Sequence, residues 1–93
     1  MTSIIKILEI GFPEAIIELN DDDIEKYYNP YLDRIYYSYI INIEDRKYLL
    51  KIIEIKEYLG NSNIISSLTL PDNEIIFRMD KKTLIRLLFE KLK

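Results

Sequence analysis

The densest group of chemically capable side chains is Asp21-Asp22-Asp23-Ile24-Glu25-Lys26-Tyr27-Tyr28, four acids and two tyrosines within eight residues. Carboxylates so close together could hold Ca²⁺ or Mg²⁺, both of which take oxygen ligands. The calcium-loop pattern fails, however. With Asp21 at the first position, Lys26 stands sixth where glycine is needed, and Leu32 stands twelfth where glutamate is needed. The run is also poorly built for acid/base work, because carboxylates in that role usually face each other across a cleft. It does fit a helix start, where Asp or Asn accepts from unpaired amides and acids complement the dipole. No metal site is assigned.

Nucleophilic chemistry has little to draw on. The chain holds no histidine and no cysteine, so the usual triads and dyads lose both base and thiol. Ser3, Ser38, Ser62, Ser66 and Ser67 lie in no elbow motif. Two isolated glycines make neither a P-loop nor a dinucleotide fingerprint. The expectation is a protein that is not an enzyme and needs no cofactor.

Binding remains. Arg78, Lys81, Lys82, Arg86, Lys91 and Lys93 outweigh Asp80 and Glu90 near the C-terminus, which offers Lys81, Lys82 and Arg86 to nucleic acid. Tyr36, Tyr37 and Tyr39 could add stacking platforms. Against this, the sequence pI is about 4.9, whereas a nucleic-acid-binding domain is normally basic. Residues 1–33 carry eight acids and two lysines, a net of −6, while residues 34–93 carry a net of +3. Such asymmetry marks an interaction surface, unless the two parts neutralise each other in the fold. Eight tyrosines are too many for a core this small, so several should sit half-wet at the surface, as they do at protein interfaces.

The contact expected from these features is Asp21, Asp22, Asp23 and Glu25 with Tyr27 and Tyr28, facing a basic surface on a larger protein. The role would be that of an inhibitor, anti-defence factor or immunity factor. Assembly with itself into a homodimer or larger homo-oligomer, through a strand edge or the apolar face of the last helix, is the alternative. Nucleic acid ranks below both. Isoleucine stands where valine would serve equally, and valine is absent, which points to AT-rich coding such as that of a virus or mobile element. Without cysteine, a leader pattern or about 18 uninterrupted apolar residues, the expected place is the cytoplasm, away from membranes.

These groups need a scaffold, and 93 residues with 48% hydrophobic composition predict one domain spanning 1–93. Ile-rich residues 3–10 read as a strand, and 14–19 as either a strand or the start of a helix. A short acidic helix is expected over about 21–28, stopped by Asn29-Pro30. From 33 to 58 the pattern predicts a hairpin turning at 44–47, with Ile35, Tyr37, Tyr39, Ile41 and Ile43 on one face. Its return strand switches apolar parity between Ile52 and Ile53, which would require a bulge. The same residues, 47–59, also suit a helix. A second hairpin is expected over about 64–79, turning at Pro71-Asp72-Asn73. An amphipathic helix over 81–92, capped by Asp80, ends the chain. The class is α+β, a small antiparallel sheet with helices on one face.

Overall fold

A computed structural model describes residues 3–20, 33–56 and 62–93. The order is α1 (Ile4–Gly11), β1 (Ile16–Leu19), β2 (Asp33–Ile43), β3 (Arg46–Lys56), β4 (Ser62–Thr69), β5 (Ile75–Arg78) and α2 (Lys81–Lys91). The strands form one antiparallel meander in the order β1-β2-β3-β4-β5. The α+β class and both hairpins are as expected. The acidic helix expected over about 21–28 lies outside the described residues.

Residues 3–10 are the clearest departure, because they form a helix and not a strand. Ser3 caps it by accepting a hydrogen bond from the Lys6 amide at 3.2 Å. Ile4, Leu8 and Phe12, spaced by four, are buried, whereas Lys6, Glu9 and Ile10 are exposed. Period four places one apolar stripe on the core, and that burial outweighs the strand preference of isoleucine. The ambiguous stretch 14–19 resolves as β1.

The long hairpin pairs Asp33 with Lys56 through to Ile43 with Arg46 without a break. Its turn is shortened to Glu44 and Asp45, with Glu44 at φ 54°, the left-handed value that type II′ turns need first. The second turn matches its residues closely. The Asn73 amide donates to the Leu70 carbonyl at 2.9 Å, so Pro71 and Asp72 occupy the centre of a type I turn. Asn73 follows at φ 69°, which asparagine tolerates.

Alternation sends Tyr37, Tyr39, Ile41 and Ile43 of β2 to one face, with Tyr48, Leu50 and Ile52 of β3 and Ile64 and Leu68 of β4. Both helices cover this face, and Leu8, Ile41, Leu50, Leu68, Leu84 and Leu88 are almost wholly buried there. Ser66 shares the core face and stays satisfied by donating to the Arg78 carbonyl at 3.1 Å. The apolar face of α2 is therefore used by the core, which removes it as an oligomer surface.

Two fastenings hold α2. At its start Asp80 accepts from the Thr83 amide at 2.8 Å, and that bond, ahead of smaller effects, lowers the Asp80 pKa below the ordinary carboxylate value. At its end the buried Tyr48 hydroxyl donates to the Lys91 carbonyl at 2.9 Å, while Arg46 donates to the Lys93 carbonyl at 3.0 Å. These contacts satisfy carbonyls that a helix end leaves unpaired. Alongside, Phe89 lies 5.1 Å from the Phe12 ring and covers Gly11. A Cβ on Gly11 would lie 2.6 Å from Phe89 Cζ.

Two outcomes are expected. Gly11→Ala should displace the Phe89 ring and lower stability by about 1–3 kcal/mol in urea titration, as overpacking does. The stability that Asp80 contributes is complete above the ordinary carboxylate pKa. It is lost as pH falls through the lower folded value. Asp80→Asn keeps the capping oxygen without the titration, so its unfolding midpoint should vary less with pH at the acid end.

Candidate functional site

Among the described residues no helix lies on the opposite face of the sheet, and the strand registers arrange it in rows. Asn20, whose amide donates to the Ser38 carbonyl at 2.8 Å, begins a row through Ser38, Lys51, Ser67 and Phe77. On one side runs Tyr36-Ile53-Ile65. On the other runs Glu18-Ile40-Leu49-Thr69-Ile75. The middle row is small and polar where it crosses β2 and β4, and its neighbours are mainly large and apolar.

A floor of short side chains between taller rows makes a trough running across the strands. The flanking rows lie about 13 Å apart, four residues along a strand, and the trough is about 19 Å long across five strands. A hollow of about 270 Å³ within it is lined by Tyr36, Ser38, Lys51, Ile53, Ile65 and Phe77 among others. That is smaller and shallower than an ordinary small-molecule pocket. Ser38 is buried at its floor and accepts from Asn20 Nδ2 at 3.5 Å. Lys51 is the cation among the described residues lining this hollow, and Glu18 stands at the end of one flanking row.

The apolar members are unusually bare for a soluble surface. Phe77 is 65% exposed, Met79 73%, Ile75 53% and Ile65 37%. Leu68, one residue from Thr69 but facing the helices, is 0% exposed. Isolated exposed apolar residues are ordinary, but contiguous ones mark an interaction site.

A second hollow of about 160 Å³ opens on the helix-covered face, between Ser3, Ile4 and Ile5 of the first helix region and Tyr37, Tyr39, Glu54 and Lys81. Tyr37 and Tyr39 stack there with centroids 6.2 Å apart. Burial, then the neighbouring Tyr37, raises the Tyr39 pKa. The hollow is too small for more than a few atoms.

The residues singled out from sequence fall in different places. Asp21, Asp22, Asp23, Glu25, Tyr27 and Tyr28 lie outside the described residues. Lys82 and Arg86 are exposed one turn apart on α2, and Lys81 is half-buried beside the small hollow. All three belong to the helical layer and not to the trough. The proposed tyrosine platform is divided by strand alternation: Tyr37 and Tyr39 face the helices, and only Tyr36 faces the open side. Among the described residues, no three His, Cys, Asp or Glu side chains come together as a metal site. No helix among them is long and apolar enough to cross a membrane.

Ile53, Ile65 and Phe77 were not anticipated as site residues. The signal was present in the parity switch at Ile52-Ile53. The unbroken register shows no bulge there, so Ile52 enters the core and Ile53 stands on the open face. The strand is therefore apolar on both sides. No protein family, curated protein or solved structure matches this chain significantly.

Ile65→Ser and Phe77→Ser should change stability by no more than about 0.5–1 kcal/mol, while Leu68→Ala should cost about 2–5 kcal/mol. Urea unfolding of the three variants checks this. An Ile65→Ser cost as large as that of Leu68→Ala would mean the open face is internally covered.

Proposed function

We propose that this protein acts by binding another protein, with the helix-free face of its sheet as the contact surface. The observation that carries this reading is the set of exposed Ile65, Ile75 and Phe77 on the face that no described helix covers, with exposed Met79 following β5. Fully burying such side chains yields about 1.5–3 kcal/mol each, and these four are already partly covered. Association costs an estimated 4–15 kcal/mol. The face therefore supports a complex of modest affinity, with the polar row that includes Lys51 and Ser67 fixing how the partner lies.

A protein partner is favoured over nucleic acid by charge. Phosphate binding draws on several cations at once, each releasing a counterion, and among the described residues the trough lining holds Lys51 alone. The described residues carry twelve basic and eleven acidic side chains. The net charge of −3 thus rests on the remaining residues, chiefly Asp21, Asp22, Asp23 and Glu25. Those four acids are proposed to steer a partner with a basic surface, an effect that sets association rate and orientation more than affinity. A module of this kind acts as an inhibitor or antagonist when the surface it covers is one its partner works through.

The test is affinity capture from nuclease-treated lysate of the source cell, followed by binding measurements on the captured protein. The Ile65→Ser/Phe77→Ser double variant should lose at least about tenfold in affinity at every salt concentration, as expected for removing two buried anchors. Neutralising the four acids should slow association and flatten its salt dependence. A double variant that binds as well as wild type would remove the sheet face from the proposal.

A further inference from the structure

The two edges of the sheet are finished differently. Hydrogen bonds leave an antiparallel strand from alternate residues, so one fixed bond decides which groups point outward. In the second hairpin the Leu70 amide donates to the Glu74 carbonyl at 2.8 Å. Counting along the register, Ile76 and Arg78 turn toward β4, and Ile75 and Phe77 present their amides and carbonyls to the free edge. There the Phe77 carbonyl is taken, because Arg78 Nη1 donates to it at 2.8 Å. A charged group over an outward acceptor is a common guard against an added strand.

The β1 edge lacks that guard. The Asn20 amide donates to the Ser38 carbonyl, so Ile16 and Glu18 bond toward β2 while Ile17 and Leu19 point outward. Among the described residues no side chain is hydrogen-bonded to the backbone of Ile17 or Leu19. Ile16 and Leu19 are 59% and 53% exposed, so the way to these groups is open. Glu18 is the one charged residue of β1 and is itself exposed.

Glu18 also decides what can pair here. A second copy using Ile17 and Leu19 from both strands would set Glu18 directly opposite Glu18 of that copy. Cα atoms in such a pair lie about 4.5 Å apart, and like charges so placed are destabilising. A strand with Lys or Arg in that position instead gains an opposite-charge pair. We propose that the β1 edge accepts an extended segment of a partner protein as a sixth antiparallel strand, with Lys or Arg opposite Glu18 and β-branched residues on either side. Glu18 also ends one row of the open face, but the pairing runs through the β1 main chain and does not depend on the open face being a contact surface. Main-chain bonds to Ile17 and Leu19 supply the attachment, and Glu18 supplies the selection, as in other strand-addition modes.

The probe is the end-capped peptide Thr-Ile-Lys-Ile-Thr, titrated to millimolar concentration into isotope-labelled protein and followed by amide chemical shifts. Shifts and slowed exchange should appear at Ile17 and Leu19. Thr-Ile-Glu-Ile-Thr should bind about three- to fivefold more weakly, the range of a cross-strand charge pair. Glu18→Lys should reverse that preference. Leu19→Pro removes an outward amide while sparing the β1–β2 bonds and the core, and should abolish the response. The proposal is overturned by no shift at Ile17 and Leu19, by a response that survives Leu19→Pro, or by equal binding of the two peptides.

Discussion

In the long hairpin, Asp33 to Ile43 pairs residue for residue with Arg46 to Lys56, and β4 continues that register from the far side of β3. Side chains alternate along every strand, so an unbroken register commits each residue to one face. Ile52 must enter the core and Ile53 must not. Ser66 must face the helices and Ser67 must face solvent. The core, the open trough and the direction of every edge group follow from this one constraint.

The helices complete only half of what the register demands. Ile4, Leu8 and Phe12 from α1 and Leu84, Leu87, Leu88 and Leu92 from α2 cover one face. Their placement is fixed at the ends, by Ser3 and Asp80 at the starts and by Tyr48 and Arg46 beneath the end of α2. Phe89 set over Gly11 holds the two helices close. With both described helices on one side, Ile65, Ile75 and Phe77 on the other side stay exposed. An antiparallel sheet can leave one face in water, but such a face is ordinarily polar.

Local signals carried much of this architecture. The 33–43 alternation, the Pro71-Asp72-Asn73 turn and the Asp80 cap each state their structure in a few residues, because turn and cap chemistry is local. Residues 3–10 misled for the opposite reason. Isoleucine favours strands, and only the tertiary burial of Ile4, Leu8 and Phe12 makes the helix the better choice. The candidate surface was harder to see. Ile53, Ile65 and Phe77 come from three strands, and they are brought together only by the pairings of Ile53 with Ile65 and of Ser67 with Phe77. The parity change at Ile52-Ile53 was visible, and a single apolar face was the wrong frame for it.

Under the proposed function, the sheet face bearing Phe77, with Met79 beyond the end of β5, is open in the free protein and covered in its complex. Hydroxyl-radical footprinting of the free and partner-bound chain tests it directly. Strong labelling of Phe77 and Met79 is expected in the free chain, with little at Phe12 and Tyr48, and the Phe77 and Met79 signal should be lost on binding. Protection confined to the solvent side of α2, with Phe77 and Met79 labelled equally in both states, would contradict it.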